Sequence, residues 1–89
     1  MTLTVRPLCA EDYPQWRPLW DGYTHFYECY LDESVTAATW DRALADSSSL
    51  FCRVVEKDGR VIGFAMCVLH EGTWSTAPFC YLEDLFVDA

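Results

Sequence analysis

The sequence predicts an α+β fold, an antiparallel sheet packed on two helices with the elements in the order β-α-α-β-β-β. Three observations carry this expectation. From Tyr13 onward, large apolar side chains recur every three or four residues, the period of one helix face. Two runs rich in β-branched residues, 50–57 and 60–69, are separated only by Asp58-Gly59, the dipeptide that most favours a two-residue hairpin turn. Finally, seven of the nine residues in 79–87 are apolar or aromatic, which reads as a buried strand.

Each element has its own local signal. Residues 2–6 alternate as Thr-Leu-Thr-Val-Arg, a short strand that Pro7 closes. The first helix is expected to begin near Glu11-Asp12, whose acids suit the positive end of the helix dipole. Pro14 fits the first turn, where its missing N–H is no loss, whereas Pro18 is expected to kink or restart the helix. The face made by Tyr13, Trp16, Leu19, Trp20, Tyr23, Phe26, Tyr27 and Tyr30 has unusual aromatic weight. A second helix is expected from an N-cap at Ser34 or Thr36 to Asp46, with Ala37, Trp40, Ala43 and Leu44 on one face. Residues 46–49 form a loop and 70–78 another, and Gly63 inside its strand points to a bulge or a close backbone contact.

Composition narrows the function. Eighty-nine residues suffice for one domain, 1–89, which buries only ~60–65% of its unfolded surface and has a thin stability margin. A formal charge of −8 disfavours nucleic acid and suits a cationic ligand. Five cysteines with no C-x-x-C pair read as small core residues in a reducing, cytoplasmic compartment. The longest apolar run, 61–69, is nine residues, too short to span a membrane. His25 and His70 have no partners at ligand spacing, so neither a metal site nor a Cys–His nucleophile is expected.

The chemistry concentrates in the last strand. Glu83 and Asp84 sit side by side in an otherwise apolar ribbon, and burying a carboxylate without compensation is costly. Strict alternation places Glu83 with Tyr81 and Leu85, and Asp84 with Leu82 and Phe86. Either a cationic ligand in a cleft satisfies them, or they are structural acids tied to backbone amides or to arginine. Near the end of the first helix, Tyr27, Glu28 and Tyr30 are the residue types an amine-binding wall would use.

Tyr81-Leu82-Glu83-Asp84-Leu85-Phe86-Val87 resembles the fourth strand of the GNAT superfamily of acetyl-CoA-dependent N-acetyltransferases. Val61-Ile62-Gly63-Phe64-Ala65-Met66 resembles that family's third strand, and His70-Glu71-Gly72-Thr73-Trp74 the loop that follows it. The polyamine and histone/polyamine acetyltransferases look most similar. The resemblance covers the whole chain but only the N-terminal half of the family's fold. The chain stops before the Arg/Gln-x-x-Gly-x-Gly/Ala loop that holds the coenzyme pyrophosphate.

The resemblance implies a mixed α/β GNAT-type fold lacking its C-terminal, coenzyme-binding part. It implies acetyl-CoA as co-substrate, no metal, and a small cationic amine or a lysine side chain as acceptor. Glu83 would then be the base or water-relay residue and Asp84 an amine anchor. Leu85, Phe86 and Val87 would offer main-chain contacts to the acetyl group and pantetheine, and Trp74 an aromatic wall beside the amine, with Tyr27, Glu28 and Tyr30 on the acceptor side. The 89-residue chain alone is expected to be inactive. An apolar last strand with an open edge is also expected to pair, either with another copy in a homo-oligomer or with a missing C-terminal half. The rival expectation is a truncated, non-catalytic fragment or interaction module that self-associates through that strand.

Overall fold

A computed structural model describes residues 2–88; the outermost positions of the expected 1–89 unit lie outside them. Strands β1 (Leu3–Pro7), β2 (Leu50–Lys57), β3 (Arg60–His70) and β4 (Phe79–Val87) form one antiparallel sheet in the order β1-β2-β3-β4. Between β1 and β2 run helices α1 (Tyr13–Phe26), entered through a 3-10 turn at Ala10–Asp12, and α2 (Glu33–Leu44). The α+β class and the element order are those the sequence predicts.

Both helices pack on one face of the sheet. Trp16, Leu19 and Trp20 of α1 meet Cys52, Val54, Val61, Phe64 and Met66 of β2 and β3, with Ala43 of α2 closing the layer. The aromatic weight of α1 is spent on ring contacts: Trp16 stacks on Trp20 at 5.3 Å and also packs on Trp40 at 5.0 Å and Phe64 at 6.2 Å. Trp20 Nε1 donates to the buried Thr36 Oγ1 at 3.2 Å, tying the two helices together. Beneath them, Arg6 reaches from β1 to Asp12 and Glu56 at 2.7 and 2.6 Å.

The hairpin is as expected. Asp58 and Gly59 both have positive φ, 53° and 85°, and Lys57 pairs directly with Arg60, the geometry of a type I′ turn. Gly63 also bears out its expectation: β3 bulges beside it, and a Cβ there would come within 2.8 Å of the Phe86 carbonyl oxygen. Only hydrogen lets β4 approach so closely.

Several expectations are corrected. Pro18 lies within α1 and does not restart it, the helix running on to Phe26; it is on the exposed side, and its missing N–H removes a single ladder bond. The aromatic period does not carry the helix to Tyr30. Glu28 turns left-handed at φ 54°, while Glu28 N–H reaches the His25 carbonyl at 3.0 Å and Cys29 N–H the Thr24 carbonyl at 2.9 Å. This is a Schellman stop without its usual glycine. Helix α2 starts from Asp32, whose carbonyl takes the Val35 and Thr36 N–H groups, and it ends at Leu44. Its buried face is Thr36, Thr39 and Ala43 with Trp40 half-buried, and Ala37 faces solvent. Strand β4 is not buried: only Asp84 and Phe86 are even partly covered, because both helices lie on one face and no described strand lies beyond it.

Candidate functional site

The site is built on an irregularity in β4. Met66 pairs with Asp84, but its neighbour Cys67 pairs with Leu82, so Glu83 is an extra residue with no partner on β3. Such a bulge sets two residues of one strand against one of the other and breaks the alternation of faces. Strict alternation, which would separate Glu83 from Asp84, therefore does not hold. Asp84 keeps company with Phe86 on the helix side but not with Leu82, which lies opposite Cys67. Both carboxylates border the same cavity of about 410 Å³, walled by Trp20, Leu31, Thr39, Arg42 and the start of β2.

The two acids are held differently. The Tyr23 hydroxyl donates to Asp84 Oδ1 at 2.6 Å, a distance typical of a charge-assisted bond. Burial first, and then the Asp84 carboxylate, push the Tyr23 phenol above its ordinary range, so it remains a donor at neutral pH. Glu83 is exposed beside it. Among the described residues neither acid is paired with an arginine, a lysine or a main-chain amide. Two carboxylates bordering one cavity, neither of them ion-paired although Arg42 lies on its wall, favour a positive group there.

The other sequence-derived residues are distributed around this centre. Tyr27 packs on Tyr23 at 5.2 Å, one ring removed from Asp84. Tyr30 lies 6.4 Å from the His25 ring and borders a separate cleft of about 510 Å³ with Arg17 and Asp21. Glu28 is the exposed turn residue after α1. Trp74, 93% exposed, borders another cavity of about 410 Å³ with His70, Phe79 and Tyr81, apart from the acids. Leu85 and Val87 face outward on the uncovered side of the sheet, bordering a small recess with Val5 and Ala65. Phe86 turns inward against Phe64, Tyr23 and Gly22.

Leu31 and Arg42 at the acidic cavity, and Tyr23 as the donor to Asp84, are not expected as site residues from sequence. Tyr23 could have been: it lies on the same helical face as Trp20, three residues on. No local pattern announces the bulge that brings Asp84 to it. Among the described residues no group of three or more His, Cys, Asp or Glu side chains is arranged to hold a metal, and no helix is long and apolar enough to cross a membrane.

Residues 10–89 match the acetyltransferase (GNAT) family. The chain belongs to the GNAT family of acetyltransferases. It is 25% identical over 87 residues to the D-amino-acid N-acetyltransferase HPA3 of Saccharomyces cerevisiae, a match covering 96% of this chain and 54% of that protein. The fold is similar, with a TM-score of 0.82 at 16% identity, to a possible acetyltransferase from Clostridium difficile 630, covering 99% of this chain and 59% of that one. The chain thus spans little more than half the length of the GNAT proteins it resembles.

Proposed function

We propose that this chain forms the acceptor side of an acetyl-CoA-dependent N-acetyltransferase that modifies a primary amine. The observation that supports the reading is the β4 bulge, which sets Glu83 and Asp84 on one cavity with neither acid ion-paired among the described residues. The yeast relative is named for acetylating D-amino acids, acceptors whose amine is likewise a cation at neutral pH.

An alkylammonium ion titrates around ~10.4 and must lose a proton before it can attack a thioester. Asp84, fixed by the Tyr23 hydroxyl, anchors the ammonium. Glu83, free of partners and open to water, takes the proton directly or through one water molecule. The uncovered edge of β4 has the form needed to accept an extended chain carrying amides, and Leu85, Phe86 and Val87 supply its N–H and C=O groups. Bound acetyl-CoA would contribute the activated acyl group: as the amide C–N bond forms the thioester C–S bond would break, and coenzyme A would leave as a thiolate that takes up a proton. Main-chain N–H groups on that edge would hold the charge developing on the carbonyl oxygen.

Replacing the proposed base tests this reading. In the longest gene product containing this chain, Glu83→Gln should lower turnover by ~10²–10⁴ at neutral pH and leave the far-ultraviolet circular dichroism unchanged. Wild-type turnover would remove Glu83 from the mechanism.

A second reading rests on a different observation. Val5, Leu85 and Val87 on the open face of the sheet are 70%, 58% and 55% exposed, and an uncovered apolar face favours association. In that reading the chain pairs with a second copy, or with further chain, over this face. Sedimentation of the 89-residue chain across a hundredfold concentration range should show a dimer that Leu85→Asp disperses; monomer throughout would remove self-association.

A further inference from the structure

The cavity that holds the two acids also holds an arginine, and they do not pair. Arg42, on the last turn of α2, borders it together with Ser49, Glu83 and Asp84. Arg6 and Arg17 each bridge two acids. Arg42 makes only a long contact, Nε to the Ala38 carbonyl at 3.4 Å. Among the described residues it lies within 4.0 Å of no carboxylate. In a chain of net charge −8, a guanidinium and two carboxylates standing unpaired around one cavity leave space for a molecule carrying both signs of charge.

Resting on the acetyl-transfer reading above, the geometry points to a zwitterionic α-amino acid as the acceptor, with Arg42 as the residue that reads its carboxylate. The planar guanidinium offers parallel N–H donors that match a carboxylate, while Glu83 and Asp84 receive the ammonium group. The Ser49 hydroxyl lies on the Arg42 wall; that of Ser48 is already used by the Leu50 N–H at 3.1 Å. Leu31 gives an apolar surface for the acceptor's side chain. A polyamine, by contrast, would set a second ammonium against Arg42, and that repulsion is the discriminating element.

Phenylalanine and 2-phenylethylamine differ only in the carboxylate, so comparing them isolates this contact. By NMR titration of the 89-residue chain, phenylalanine should bind about tenfold more tightly than 2-phenylethylamine, and both should bind more tightly than spermidine. Arg42→Met should bring the phenylalanine preference down to about one, and Arg42→Lys should leave part of it. Equal or tighter binding of the amine, or a preference that survives Arg42→Met, would overturn the assignment. Acetyl transfer, followed as thiol release in the longest gene product, separates the two claims. Transfer to 2-phenylethylamine and spermidine as efficient as to phenylalanine sinks the carboxylate subsite alone. A binding preference lost in Arg42→Met, with no acceptor acetylated, supports the subsite and sinks the transfer reading.

Discussion

Asp84 and Glu83 are neighbours in sequence with unlike surroundings, and that difference underlies the roles proposed for them. Asp84 is half-covered and accepts from Tyr23; Glu83 is exposed and has no partner on β3. Tyr23→Phe should therefore weaken amine binding more than it slows the chemical step. It should also destabilise the fold by roughly 1 kcal/mol, below the usual range for a bond to a charged group because the site is partly solvated. Urea denaturation and a separation of KM from kcat would check both parts. Asp12 gives a cleaner residue-level case. Arg6, then the Cys9 N–H, hold its carboxyl down from the ordinary 3.8 to about 2, against the opposing effect of burial. The pKa is depressed in the folded state, so the stabilisation, about 2 kcal/mol, is complete above about pH 4 and is lost as pH falls through about 2. Asp12→Asn should remove that part of the acid transition, read as the urea midpoint between pH 2 and 5.

At the scale of elements, what the sequence made legible follows from whether the signal is local. The hairpin is readable because Asp58-Gly59 fixes its own dihedrals, and the irregularity in β3 because Gly63 marks a place where only hydrogen fits. The end of α1 was not, because Glu28 adopts a conformation usually left to glycine, so no residue type announces it. Replacing it should release that strain: Glu28→Gly is predicted to raise stability by ~0.5–1 kcal/mol, seen as a higher thermal midpoint. The buried face of α2 was misread because Thr36 and Thr39 are polar on paper. They are buried in place, and Trp20 gives Thr36 a donor. The bulge in β4 was hidden for another reason. Pairing register belongs to two strands together, and the sequence of one contains no mark of the extra residue. Deleting Glu83 should restore regular pairing and keep the sheet, with Asp84 still opposite Met66; amine binding should weaken and acetyl transfer fall with the loss of the proposed base.

At the scale of the whole molecule, both helices cover one face of the sheet and the other is bare. The acidic cavity draws on α1, the turn that follows it, α2, β2, β3 and β4. The outward side of β4 carries Leu85 and Val87 with nothing over them. One face of the sheet is thus covered by helices while, among the described residues, the other carries exposed apolar side chains; the chain spans 54% and 59% of the two proteins it matches. The family likeness was readable in 81–87; the convergence of both acids on one space needed the three-dimensional register.

In the proposed reaction Glu83 and Asp84 meet one positively charged acceptor in a single cavity. With side-chain carboxylates labelled with carbon-13, titrating a protonated primary amine into the chain should shift both resonances along one binding curve, and shift Tyr23 with them. A response from only one of the two acids, or two curves with different midpoints, would contradict it.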